Sequence, residues 1–205
     1  GEAAQVVAGG RDYASPVARF PLFEIACCPA GQFTNRVVAS SRNAKTFAAE
    51  AAPDGVRLVY RDVAGALDEV VCTVVAKGPD LVWRIAATPK PGWALFETRY
   101  PLFALNECLG STPVDDCVVM GNSKGGVLRY PMRPGRAYWK ERRLGHYPGN
   151  LVAQFGCFYD DAGGLYTAAY DTEAHTKELL MDRWWRTTLP DGSYLMCSDG
   201  HEALY

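Results

Sequence analysis

The segment 147–171, reading YPGNLVAQFGCFYDDAGGLYTAAYD, constrains the fold of this chain more than any other. From Leu151 to Tyr159 the side chains alternate in character and are enriched in aromatic types, as a half-buried strand requires. Asp160, Asp161, Gly163 and Gly164 then supply turn chemistry, and a second strand-like run delivers the carboxylate of Asp171 at its end. Together the two runs predict a hairpin from a large antiparallel sheet.

The same kind of run recurs along the chain. Apolar stretches at 17–28, 36–40, 55–61, 69–76, 81–87, 93–105, 117–120 and 192–197 are each bounded by Gly, Pro, Asn or Asp, and all suit strands. The runs at 56–61 and 70–76 are β-branched and aromatic, and the intervening residues 62–68 are few enough to be a hairpin loop, so these two are expected to pair. Leu67, Val70, Val71 and Val74 also fall at helical spacing, but the four β-branched residues among the six at 69–74 favour a strand. The better helix signal covers 172–181, where Thr172 is placed to cap two or three turns. Residues 110–135, rich in Pro and Gly, form the least regular stretch, of a composition that wanders over a surface and can line a cleft.

With 205 residues, no internal repeat and no flexible linker, the pattern predicts one all-β domain over 1–205, a two-layer antiparallel sandwich with few short helices. The formal charge is only −2, from 21 basic and 23 acidic residues, and the largest basic cluster, Lys140, Arg142 and Arg143, includes Glu141. That balance predicts no nucleic-acid partner. No run approaches the apolar length of a membrane-spanning helix, so no membrane partner is expected, and the first residues lack the charged and apolar regions of a signal peptide. Seven cysteines are scattered without CxxC pairs, several inside apolar runs, which reads as buried thiols rather than a metal site or disulfides. No cofactor is expected.

The stretch YPGNLVAQFGCFYDDAGGLYTAAYDTEAHTK, from Tyr147 to Lys177, carries a family resemblance. It is similar to the N-terminal β-supersandwich of large bacterial glycoside-hydrolase-like proteins, in which YP, QF, YDD.GGLY and D.E...K follow in that order. Upstream, FPLFEIACC, VRLVYRD and YPLFAL match only in pattern, and this chain has Tyr170 where the family often has a histidine. The resemblance implies a galactose mutarotase-like fold preceding a catalytic (β/α)8 barrel. The partners it implies are a carbohydrate and that barrel, carried by the same parent chain. The closing SDGHEALY loosely resembles the place where such chains pass from sandwich into barrel.

Sugar sites combine planar aromatics with carboxylates and amides on loops of a rigid sheet. Residues 138–185 contain that mixture: Trp139, His146, Tyr147, Asn150 and Gln154 come first, followed by Asp171, His175, Lys177, Trp184 and Trp185. The substrate-binding set is Asp171, His175, Lys177, Tyr147, Gln154 and Trp184, with Asp171 foremost because it follows the hairpin's second strand. Each has a plainer role open to it. Tyr147 and Trp139 suit packing, Gln154 can satisfy a backbone group, and Asp171 can make an Asx-turn. Asp171 and His175, four apart, are either an acid–base dyad or a local ion pair. Trp184 and Trp185 are adjacent, so on a strand they face opposite sides.

No pair of carboxylates reads as a glycosidase dyad. Asp160 and Asp161 have a turn role, and Asp115 and Asp116 would diverge on a strand. GNSKGG lacks phosphate-loop spacing, and the Ser, Asp and His of SDGH are sequence neighbours rather than a triad. The expected function is therefore a non-catalytic accessory domain that helps shape the sugar cleft of a barrel. An autonomous aldose-epimerase-like or lyase-like enzyme and a purely structural interaction domain are the alternatives.

Overall fold

The computed structural model describes residues 7–8, 10–14, 20–106, 108–122, 125–131, 143–180, 184–188 and 194–198. Backbone contacts divide the chain into two compact units, Gly1–Leu105 and Asn106–Tyr205. Every strand pairing in both is antiparallel, and the described residues contain no helix. The chain is all-β.

In the first unit a small ribbon, β1 (Val7–Ala8) with β2 (Arg11–Asp12), precedes two larger sheets. Strands β3 (Glu24–Pro29), β4 (Val37–Ser40) and β9 (Trp93–Arg99) form one in the order β4-β3-β9. Strands β5 (Ala44–Ala52), β6 (Gly55–Val63), β7 (Leu67–Lys77) and β8 (Asp80–Pro89) form the other as a meander. Pairing sets which side chains share a face: Tyr60 lies opposite Val70, Leu58 opposite Cys72, and Cys72 opposite Ile85. Ile25 and Cys27 of β3, Ala39 of β4, and Tyr60, Val70 and Cys72 belong to one buried cluster, so the two sheets are layers of a sandwich.

The expected β6–β7 hairpin forms with a tighter reversal than 62–68. Val63 pairs with Leu67, and Asp62, Ala64 and Gly65 all take left-handed φ, at 51°, 53° and 72°. For Asp and Ala that conformation is costly. At Asp62 it is accompanied by ion pairs to both Lys45 and Lys90, whose hydrogen bonds hold its carboxyl below the usual range.

Strand β5 has no counterpart in the sequence reading. Its sequence, AKTFAAEAA, is poor in β-formers, and most of its side chains are exposed, so neither composition nor alternation signals it. What makes it a strand is its nearly continuous register with β6, from Ala44 opposite Val63 to Ala52 opposite Gly55. Two other expectations shorten: among the described residues 20–28 the strand begins at Glu24, and the run at 93–105 ends as a strand at Arg99.

The second unit holds β10 (Cys117–Asn122), β11 (Gly126–Arg129), β12 (Arg143–Tyr147), β13 (Leu151–Asp160), β14 (Gly163–Ala168), β15 (Lys177–Leu180), β16 (Trp184–Thr188) and β17 (Tyr194–Ser198). A four-stranded sheet runs β11-β10-β13-β14, and β12 pairs with β15 and β16 with β17. The expected hairpin is β13–β14. Its turn, however, is Asp161–Ala162, because Asp160 pairs with Gly163 and both glycines lie within β14. The Asp160 carboxylate caps that turn, accepting the amides of Ala162 and Gly163 at 2.9 Å. Gly164 is required by proximity, since a Cβ there would lie 2.3 Å from Tyr159 Cβ and 2.6 Å from the Phe158 carbonyl oxygen.

The helix expected at 172–181 is absent from its described part. Residues 172–176 are turn and irregular chain, and Lys177–Leu180 is β15, with Lys177 opposite Tyr147. Pairing with β12 gives these residues cross-strand backbone partners, and the Asp171 carboxylate takes the amides of Glu173 and His175. In its described part the helix expected there is thus sheet and turn instead. Cys27, Cys28, Cys72 and Cys117 are buried, as thiols set in apolar strands.

Candidate functional site

The site grows from the open end of the β13–β14 hairpin. One residue past β14, the Ala169 amide still donates to the Gln154 carbonyl at 2.9 Å. The Gln154 side chain then reaches the emerging chain, its Nε2 donating to the Asp171 carbonyl at 2.8 Å. Because a carbonyl only accepts, this bond fixes which end of the amide is nitrogen. The other end, Oε1, is buried and has no hydrogen-bond partner among the described residues.

Asp171 organises the following loop. Its Oδ1 accepts the Glu173 amide at 3.0 Å, and its Oδ2 accepts the His175 amide at 2.8 Å and the Lys177 ammonium at 2.5 Å. The His175 ring lies beside it, with Nδ1 3.2 Å from both oxygens. Ala174, between these bonds, adopts a left-handed φ of 57°. Lys177 also donates to the His175 carbonyl at 2.7 Å and sits 5.2 Å from the centre of the Tyr147 ring. The Lys177 hydrogen bond, followed by the Glu173 and His175 amides and the His175 ring, outweighs partial desolvation and holds the Asp171 carboxyl well below the usual carboxylate range. Such a carboxylate stays ionised at neutral pH and is a poor proton acceptor.

Beside this loop lies an open concavity of about 340 Å³, whose walls include Tyr147, Gln154, Phe155, Tyr166, Tyr170 and Asp171. Register assembles the aromatic wall. Cys157 lies opposite Tyr166 and Phe155 opposite Ala168, so Phe155 and Tyr166 are diagonal neighbours on one face. Their ring centres are 5.8 Å apart at an interplanar angle of 30°. Tyr166 is 55% exposed and Tyr170 is 86% exposed, so both rings present surface to solvent. Among the described residues that line the concavity, Asp171 is the only charged one.

Of the residues singled out from sequence, Tyr147, Gln154 and Asp171 line this concavity, and His175 and Lys177 join it through Asp171. His146 and Asn150 do not line it: Asn150 Oδ1 accepts the His146 amide at 2.9 Å and closes the turn after β12. Trp184 and Trp185 are placed as backbone of β16, opposite Ser198 and Cys197, and Trp139 lies outside the described residues. The sequence reading did not select Phe155, Tyr166 or Tyr170. Alternation within β13 and β14 exposes the first two in principle, but only the pairing register reveals that they meet.

The described residues contain no group of three or more His, Cys, Asp or Glu side chains arranged to hold a metal ion. They also contain no helix long and apolar enough to cross a membrane. Comparison with family models, curated proteins and solved structures finds no match to the chain.

Proposed function

We propose that this chain is a non-catalytic, carbohydrate-associated accessory domain that presents the β13–β14 concavity to a sugar while a separate catalytic barrel performs the chemistry. The observation that carries this reading is the solvent-facing aromatic wall of Phe155, Tyr166 and Tyr170 beside the fixed loop 171–177. Aromatic faces take the C–H face of a pyranose, and a loop locked by internal hydrogen bonds loses little entropy on binding.

A binding role is favoured over a catalytic one because the Asp171 carboxylate is already committed to two amides, a histidine ring and an ammonium. A glycosidase also needs a second carboxylate about 5 to 9 Å from the first, and the described lining supplies only Asp171. Kinship with the mutarotase-like supersandwich, and docking on a (β/α)8 barrel, belong to the same reading and rest on the resemblance of residues 147–177.

The test is calorimetric titration of the purified chain with a panel of oligosaccharides. Saturable binding is expected, with a loss of about tenfold in Tyr170→Ala, the equivalent of about 1.4 kcal/mol of stacking. Tyr170 is 86% exposed, so the substitution should leave the sheet intact by circular dichroism. No binding across the panel, or turnover of a sugar that is abolished by Asp171→Asn, overturns the assignment.

A further inference from the structure

We infer that strand β5 is a self-association edge, pairing antiparallel with β5 of a second copy of this chain about a two-fold axis at Ala48. Strand β5 (Ala44–Ala52) stands at the outer margin of the β5-β6-β7-β8 meander, with no strand on its far side among the described residues. Every residue from Lys45 to Ala51 is exposed, on both faces of the strand. Phe47 lies opposite Tyr60 and its ring centre is 4.9 Å from the Tyr60 ring, so it points to the core side of the sheet, yet it is 52% exposed. Ala49 and Ala51 share that side and are exposed too, so the opposing layer stops short of β5. Alternate residues of an antiparallel strand turn their N–H and C=O groups away from the paired neighbour, and such a margin templates a further strand unless it is guarded. The usual guards are missing from β5. It has no proline and no register shift against β6, and its two charged residues are tied to β6, Lys45 to Asp62 and Glu50 to Arg57.

A second copy fits this edge by register and by charge. A two-fold axis normal to the sheet sets residues of like parity opposite each other, and centring it on Ala48 pairs all nine residues of the strand, Ala44 with Ala52 at either end. Thr46 of one copy then faces Glu50 of the other. Within one copy Thr46 lies opposite Arg61, Arg61 opposite Glu69, and Glu50 opposite Arg57. The row across the join therefore reads Glu69, Arg61 and Thr46, then Glu50 and Arg57 of the second copy, so that signs alternate and no like charges meet. The Thr46 hydroxyl can donate to the facing carboxylate. Between this row and its two-fold mate, Val71, Val59 and Ala48 form an apolar row that continues unbroken into the second copy. On the other face Phe47 meets Ala49 of the second copy and comes within diagonal reach of that copy's Phe47. Pairing thus takes the exposed apolar side of β5 out of water and satisfies its outward backbone groups together.

The edge belongs to the first unit and the concavity to the second, so this inference stands apart from the carbohydrate reading. The experiment is sedimentation velocity on the intact chain from about 0.1 to 100 µM, a range that spans the affinities of ordinary interfaces. A reversible shift from the 22.4 kDa monomer to a dimer is expected. Ala48 is exposed, so Ala48→Lys and Ala48→Glu should each keep the fold by circular dichroism. Each variant sets two like charges opposite one another at the axis and should weaken self-association at least tenfold, whereas an equimolar mixture of the two should recover it. A monomer at every concentration overturns the inference. So does a dimer that both single variants leave equally tight, since its contact would lie elsewhere. Weakening by both variants without recovery in the mixture overturns the pairing about Ala48.

Discussion

Replacing Tyr60 with phenylalanine should leave the first unit at least as stable as before, and up to about 2 kcal/mol more so. Tyr60 is fully buried between the layers, with its ring 5.1 Å from Phe23 at 83° and 4.9 Å from Phe47 at 40°. Those contacts survive the substitution. What disappears is a hydroxyl with no hydrogen-bond partner among the described residues, and a buried polar group in that state costs about 1–3 kcal/mol. Tyr60→Ala, by contrast, removes the ring as well and should cost about 3–5 kcal/mol.

Urea unfolding followed by circular dichroism measures the difference. Each kcal/mol corresponds to about 4–8 °C in Tm for a cooperative unit of roughly 60–100 residues. Burial, and then the neighbouring Cys72, push the Tyr60 phenol from its ordinary 10.0 up to about 12. The folded state therefore holds the proton longer than the unfolded chain. The stability this contributes is intact below pH 10 and drains away as pH rises through about 12, a loss that Tyr60→Phe should abolish. A destabilisation by Tyr60→Phe of more than about 1 kcal/mol would refute the reasoning, since it would mean the hydroxyl has a partner.

Further outcomes follow from the second unit. Gly164→Ala drives a Cβ into backbone, 2.6 Å from the Phe158 carbonyl oxygen, and should cost about 1–3 kcal/mol in denaturant unfolding; a neutral result would contradict the pairing of Gly164 with Tyr159. Because the Asp171 carboxyl is depressed in the folded loop, the order it imposes should be present above its ordinary value of 3.8 and be lost as pH falls through the lower folded value. Amide protection at Glu173 and His175, compared at neutral pH and under strong acid, reads this directly. Asp171→Asn should lower that protection even at neutral pH, and unchanged protection would refute the loop's dependence on the carboxylate.

The candidate site was partly legible in the sequence. The order of Tyr147, Gln154, Asp171 and Lys177 along one short segment announced a hairpin with polar groups gathered at its open end. It did not announce how those groups would be used. Asp171 could be a ligand, an Asx-turn or half of a dyad on sequence alone, and its four contacts emerge only when residues 171–177 turn instead of coiling into a helix. The aromatic wall was hidden for another reason: Phe155 and Tyr166 are eleven positions apart and become neighbours through register.

The local pattern by itself determined that this chain is built of antiparallel strands. Alternation, β-branching and turn residues act over a few positions, and those energies are readable where they occur. The tertiary structure decided what local preference leaves balanced. Ala44–Ala52 is a strand because β6 supplies its backbone partners. Lys177–Leu180 is a strand because β12 does, overriding the helical signal of its own residues. Partners distant in sequence contribute hydrogen bonds and buried area larger than any single residue's propensity, and they leave no mark in the residues they recruit.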